Sequence, residues 1–451
     1  MKELDDILDW ISDNRYLVLM WLASTLFFIY QQTTGASWDF VVYEMNAEYL
    51  CCDGHYFEWT RPPFAPFLMI ISATITLFTW NYAAYVYAAI VSAIFAAGAV
   101  KMADSFGLDR RLFYALMLSP YALTMGMMAG TELLTLGLLM LFLSYLKSIK
   151  GAFFLGLAGL TRYPALIFTP FILLQKNWKK ILASLAVLVL VASPWLLYSE
   201  VRRDDPIYSA VNSYALTVQQ REGMEVPPDV MHFLVPVGYY LPLLFAGIYI
   251  KWKDEWKERD WVVAAFALLA IISYLQSPHK EPRYLFNLIL PAGYFSYHLL
   301  EGRHEKLFLA VIGVNFALAA IFFVPLARYA SMDDAIQATD DCMARSNLWV
   351  PMNYHGKEAE AIVRDVPHYV EEGKRVVVFK YVQDYGNYVT EEVLEEQPVI
   401  EETETYIVFG DEERCSPERK VDRSFIEREG DIRGIEGCKD VFPNFLCIFS
   451  S

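Results

Sequence analysis

Several things are missing from this 451-residue chain, and each absence closes a route. Its six cysteines show no clustered Cys-x-x-Cys spacing, so a structural zinc site is not indicated. The polar stretch Gln31–Pro63 has no Asp-x-Asp pair, which removes a ready carboxylate pair for a divalent ion. No internal repeat is visible, which speaks against the two-halved plan of many transporters. Positive charge is short: 37 Lys and Arg stand against 53 Asp and Glu, a net −16. A chain so acidic lacks the basic surface that nucleic acid requires. Met1–Asn14 is acidic and lacks a cleavable-signal pattern, so the first apolar run is expected to be retained.

Apolar surface is abundant. The chain is 55% hydrophobic and 16% aromatic, with a mean hydropathy of +0.28. Eleven apolar runs, from Tyr16–Gln32 to Leu307–Leu326, approach membrane-spanning length; they include Phe64–Trp80, Leu112–Met128, Ala152–Leu174, Val262–Leu275 and Leu285–Leu300. The expected class is a polytopic α-helical membrane protein. From Arg328 onward, 27 acids against 14 bases leave −13, nearly all the imbalance, in 124 residues. That shift predicts a boundary, with a membrane domain at 1–327 and a small acidic α/β domain at 328–451. In the tail, Arg375–Tyr381, Thr405–Phe409 and Asn444–Phe449 read as strands, and Lys357–Glu372 as an amphipathic helix stopped by Gly373.

Basic loops at Lys176–Lys180, Lys251–Arg259 and Arg303–Lys306 lie an even number of crossings apart, which sets them on the cytoplasmic side. Gln31–Pro63, Glu200–Val230, the loop at His279 and the tail then share the outer face. Ala152–Leu174 carries Arg162 at its centre. It is either one straight span or a re-entrant pair of half-helices; Pro164 favours the second. All six cysteines fall on the outer, oxidising side, which favours disulfides; Cys51 and Cys52 pair with each other or with the tail.

Polar residues beside apolar runs are the candidates for chemistry. His279-Lys280-Glu281-Pro282-Arg283 crowds a possible imidazolium, two cations and a carboxylate between apolar segments. His279, Lys280 and Arg283 suit a phosphate. The plain alternative is snorkelling to lipid headgroups. Asp39, just after the first run, is placed to accept a proton from an attacking hydroxyl, or is a solvated acid. Asp39, Glu44 and Glu48 have near-helical spacing and are expected on one face of a short helix. Arg61-Pro62-Pro63 opens the next run. Glu132, in Gly130-Thr131-Glu132, needs a partner within an apolar region, and Arg162 is the candidate.

The block His279–Leu285 (HKEPRYL) resembles the His-Lys-Glu-x-Arg-Phe signature of the mannosyltransferases that build GPI anchors and dolichol-linked glycans, enzymes of the GT-C fold. Tyr284 stands where Phe is common. The early Asp39, Pro62-Pro63, Gly130–Glu132 and Leu160-Thr161-Arg162-Tyr163 follow in similar order, so the resemblance covers about Trp38 to Pro291 in scattered blocks. The acidic tail is similar to outward-facing tails of prokaryotic, especially archaeal, members. The resemblance implies an inverting hexosyltransferase, with mannose the expected sugar. A polyprenyl (dolichyl) phosphate sugar would be the donor, and a glycan, lipid or protein hydroxyl the acceptor. Asp39 would be general base, with His279, Lys280, Arg283 and Arg162 on the donor phosphate. Glu44, Arg61, Glu132, Tyr163 and Glu281 would be auxiliary or acceptor-side residues. Phosphate leaves readily, so no cofactor is expected; a divalent metal is compatible but not indicated. Competing readings are a lipid or sugar flippase, a non-catalytic scaffold with the same core, and an oligosaccharyltransferase, the last on Asp384-Tyr385-Gly386 alone.

Overall fold

A computed structural model describes residues 12–33, 37–52, 54, 56–214, 227–277, 280–304, 306–323, 331–362, 366–380, 397–411 and 413–417. His279, Asp384-Tyr385-Gly386, the expected strand Asn444–Phe449, Cys438 and Cys447 lie outside them. The chain is mostly helical with one small sheet, and it divides into two units. The larger takes Met1–Thr33 and Trp59–Val324; the smaller joins Thr34–Glu58 to Pro325–Glu429.

In the larger unit, apolar runs become helices whose lengths follow their interruptions. Among the described residues two helices, Tyr82–Phe106 and Trp178–Arg203, are long and apolar enough to cross a membrane. A third candidate is the pair Val230–Val237 and Tyr240–Lys253, bent by 83° at Gly238 and Tyr239. The other runs are shorter. Leu112–Met128 is split into Arg110–Met117 and Pro120–Met125, because Pro120 supplies no N–H to continue the first helix. Ser119 caps the second by accepting from the Ala122 N–H. Phe64–Trp80 yields a helix only over Phe64–Ile75, followed by left-handed Leu77 and Phe78.

Ala152–Leu174 is interrupted where Arg162 and Pro164 stand. The helix Ile149–Thr161 ends at Arg162, whose backbone is extended, and a 3-10 segment runs from Tyr163 to Gln175. Pro164 has no N–H to donate to the Leu160 carbonyl, and its ring crowds the preceding turn, so the α-helical ladder stops here. The two halves pack on each other. Glycines bring other helices close: a Cβ on Gly98 would sit 2.4 Å from the Gly137 carbonyl oxygen, and one on Gly247 would overlap the Phe295 carbonyl. Along Trp178–Arg203, Leu182, Val189, Leu190, Leu197 and Val201 are each more than half exposed. An apolar face of that extent is stable against hydrocarbon or another protein, not water.

The smaller unit is a three-layer α/β body. Its sheet has the order β2-β1-β3-β5-β4, with β1 Ala344–Ser346, β2 Ala359–Ala361, β3 Arg375–Phe379, β4 Val399–Glu402 and β5 Tyr406–Phe409. β1 runs parallel to β2 and β3; β5 is antiparallel to β3 and β4. β3 reads RVVVF because both its faces are covered. Val377, Phe379, Tyr406 and Val408 face the helix Trp38–Cys51 through Val41, Val42 and Met45. Val376 and Phe409 pack on Val366, Tyr369 and Val370. The tail is therefore not a unit by itself: the segment after the first apolar run supplies its covering helix.

Lys357–Glu372 is not one helix. Ala359-Glu360-Ala361 alternates with period two and forms β2, where Glu360 meets Arg345 of β1 as an ion pair. Among the described residues of this stretch Val366–Glu371 is helical, and Gly373 follows at φ +75°. Disulfides join Cys51 to Cys52 and Cys342 to Cys415.

Candidate functional site

The larger unit holds most of the candidate residues. Glu132 opens the helix Glu132–Ser144, where the macrodipole favours a carboxylate. Gly130 makes that start possible. It sits at φ +81°, a conformation side chains disfavour, and its carbonyl accepts from the Tyr87 hydroxyl at 2.5 Å. Glu132 forms an ion pair with Arg162, which the break before Pro164 turns toward it. The Glu132 side chain is 2% exposed and that of Arg162 23%. The partner expected from sequence is the one the fold supplies.

The block after His279 is arranged in two ways. Glu281 is extended, as a residue before proline must be, and Pro282 starts a 3-10 segment running to Leu288. Arg283 folds back onto Glu281 as an ion pair, with Nη2 donating to Oε1 at 3.3 Å. Lys280 turns the other way. Its Nζ donates to the Ser277 carbonyl and, at 3.2 Å, to the Leu275 carbonyl, closing the C-terminal end of the helix Glu258–Gln276. It also lies 5.4 Å from the centroid of the Tyr274 ring. Glu281 thus positions Arg283.

The two ion pairs converge. The segment Pro282–Leu288 packs on both the Glu132 helix and the helix Pro120–Met125. Tyr121 of the latter meets Phe286 with ring centroids 5.8 Å apart. Its hydroxyl is close enough to feel the charges of Glu132, Arg283, Glu281 and Arg162 together. Gln31 and Gln32 hold this region by donating to the carbonyls of Leu123, Thr124 and Met127. Sequence reading missed Tyr121, because a tyrosine in an apolar run carries no motif.

Tyr163 turns to an aromatic cluster that sequence also left unmarked. Its hydroxyl bonds the Ser209 hydroxyl at 2.6 Å and accepts from the Trp195 indole at 3.0 Å. Ser209 donates in turn to the Trp59 carbonyl at 2.6 Å. Trp59 stacks on Tyr198, and Arg203 stands 5.1 Å over the Trp59 ring. Arg61 is half-buried in the turn ahead of Phe64–Ile75.

Asp39 and Glu44 belong to the smaller unit, on the helix Trp38–Cys51. Ser37 caps that helix by accepting from the Phe40 N–H at 3.3 Å, and Asp39 sits half-buried in its first turn. The three acids do not share a face. At 100° per residue, Asp39 and Glu44 lie roughly 140° apart around the axis, whereas Glu44 and Glu48 are one turn apart. Glu44 is 2% exposed and accepts from the Tyr354 hydroxyl at 3.3 Å. Burial, with the charge of Glu48 beside it, pushes the Glu44 carboxyl up to about 8; burial raises Glu48 as well. Among the described residues no group of three or more His, Cys, Asp or Glu side chains is placed to hold a metal ion.

No family model matches the chain. Among curated proteins it resembles undecaprenyl phosphate-alpha-4-amino-4-deoxy-L-arabinose arabinosyl transferase 2 of Pseudomonas fluorescens (strain Pf0-1), 28% identical over 155 residues. That match takes 31% of this chain and spans only 27% of the relative's length. Among solved structures, ArnT from Cupriavidus metallidurans bound to undecaprenyl phosphate superposes with a TM-score of 0.60 at 13% identity, covering 87% of this chain and 97% of that one. The apo state of the same protein gives 0.59 at 11% identity, over 88% and 98%. At such identities the likeness is one of architecture, and over nearly nine-tenths of its length the chain shares the fold of ArnT.

Proposed function

We propose that the chain is a multi-pass membrane glycosyltransferase of the GT-C kind that moves a sugar from a polyprenyl-phosphate donor to an acceptor hydroxyl. The observation that carries this reading is the fold: 87% of this chain follows 97% of a protein solved with undecaprenyl phosphate bound. The motif order supports it independently, since the HKEPRYL block, Gly130–Glu132 and Arg162 occur as in polyprenyl-phosphate mannosyltransferases. Mannose is the sugar favoured by that block; the arabinosyl relative makes a 4-amino-4-deoxy pentose the alternative.

In this reading the acceptor oxygen attacks the anomeric carbon with inversion. The bond from that carbon to the phosphate oxygen breaks, and the electron pair leaves with the polyprenyl phosphate. Asp39 takes the acceptor proton. Arg283 and Arg162 hold the phosphate, since a guanidinium has five donors and one carboxylate cannot use them all. Their charge stabilises the oxyanion as it develops. By the motif resemblance His279 and Lys280 are assigned to the same phosphate. Glu281 and Glu132 set the two guanidiniums; Glu44, Arg61 and Tyr163 act on the acceptor side. The positive-inside rule, applied to the basic loops Lys176–Lys180, Lys251–Arg259 and Arg303–Lys306, supports an extracytoplasmic face for this chemistry.

The test is incubation of purified protein with undecaprenyl- and dolichyl-phosphate mannose, glucose and 4-amino-4-deoxyarabinose, with lipid extracts as acceptors. Transfer from one donor, abolished by Asp39→Asn and by Arg283→Ala, is the expected result. Full transfer by Asp39→Asn removes that residue as the base; no transfer from any donor removes the reading.

A further inference from the structure

Tyr121 is a buried polar group that packing alone does not explain. It is 8% exposed, and its hydroxyl is shielded from solvent without a hydrogen-bond partner. Other buried tyrosines of the same unit are satisfied. Tyr87 donates to the Gly130 carbonyl at 2.5 Å, Tyr114 bonds the Ser24 hydroxyl at 3.2 Å, and Tyr240 donates to the Leu116 carbonyl at 3.1 Å. An orphan buried hydroxyl is costly, and phenylalanine would keep the contact with Phe286 without that cost. The orphan lies on the helix Pro120–Met125, against the segment Pro282–Leu288 that carries Arg283 and packs on the Glu132 helix, and it feels the charges of the Arg162–Glu132 and Arg283–Glu281 pairs.

We propose that the Tyr121 hydroxyl donates a hydrogen bond to the phosphate of the donor lipid, as a third, neutral contact between the two arginines. This assignment rests on the reading of the site as a polyprenyl-phosphate site. The donor is a phosphodiester whose two non-bridging oxygens share one negative charge; set between Arg162 and Arg283, it gains charge and a further terminal oxygen as the sugar departs, and it satisfies the phenol the fold leaves bare. A phenol is neutral at physiological pH, so it enters as a donor and adds no charge. Charge builds on the phosphate oxygen as the glycosidic bond breaks, and a fixed donor strengthens with it.

The experiment uses the full chain in detergent or nanodiscs. Binding of undecaprenyl phosphate and of undecaprenol is measured for the wild type, Tyr121→Phe, Tyr114→Phe and Arg283→Ala, with melting curves for each. Tyr121→Phe is expected to bind undecaprenyl phosphate about tenfold or more weakly, with unchanged or raised thermal stability. Tyr114→Phe, which removes a satisfied hydroxyl, is expected to melt lower and keep its affinity. Wild-type affinity in Tyr121→Phe, with Arg283→Ala impaired, overturns the Tyr121 assignment and leaves the functional reading standing. A wild type that binds undecaprenyl phosphate no better than undecaprenol overturns both.

Discussion

Glu132 and Arg162 stand 30 residues apart in sequence and meet as an ion pair inside the helical unit. One is the first residue of a helix; the other is the break between two half-segments. Their meeting ties the Gly130–Glu132 turn to the Arg162–Pro164 interruption. Removing one partner leaves the other charge poorly solvated. Glu132→Ala is expected to destabilise the protein by on the order of 2 kcal/mol, less than for a fully buried pair because Arg162 keeps some solvent contact. A Glu132→Gln, Arg162→Gln double variant is expected to lose less than the sum of the singles, read from melting in detergent as a double-mutant cycle.

Lys280 and Arg283 are close in sequence but differ in what they hold. Lys280→Ala frees the carbonyls of Leu275 and Ser277 and is expected to lower the melting temperature. Arg283→Ala leaves the backbone intact and is expected to reduce donor affinity with little change in melting. Measuring both quantities on both variants separates the roles; equal melting losses would refute the distinction.

Glu44 gives the smaller unit a pH dependence with a definite sign. Its carboxyl rises from 4.5 to about 8 on folding, so the native state keeps a proton that the unfolded chain releases. The protonated form contributes its full stability below about pH 4.5. That contribution declines as pH rises and is gone above about 8, by at most about 1.4 kcal/mol per pH unit. Denaturant melts across this window should show the decline, and Glu44→Gln should flatten it. A slope unchanged in the variant would assign it to another group.

Ser37 caps the helix that carries Asp39. Ser37→Ala is expected to cost about 1 kcal/mol of stability, measured by chemical denaturation. If Asp39 is the base, this variant should also lower transfer, whereas Asp39→Asn should abolish transfer with melting little changed.

Gly98 and Gly137 let two helices touch at backbone distance. A Cβ on Gly137 would stand 2.8 Å from the Phe95 Cα. Gly137→Leu is expected to cost at least about 2 kcal/mol or prevent assembly of the unit. Size-exclusion profile and melting temperature of the purified variant are the check.

The sequence by itself determined the helical, apolar class; it left the run through Arg162 open between a straight span and a break favoured by Pro164, and named Arg162 as a candidate partner of Glu132. Hydrophobic run length, charge asymmetry and proline act locally, and a carboxylate in an apolar region demands a cation. Lengths of the helical pieces were less legible: apolar composition runs straight through Ser119-Pro120 and Arg162, while the backbone ladder does not. Tertiary structure alone decided that the segment at Trp38–Cys51 covers the tail's sheet, because its apolar face shows no sign of which partner buries it. It also decided that Lys280 closes a helix end while Arg283 pairs with Glu281, a choice set by side-chain direction along a bent backbone. And it placed the Tyr121 hydroxyl among four charges drawn from three distant stretches of chain, a juxtaposition that no local pattern encodes.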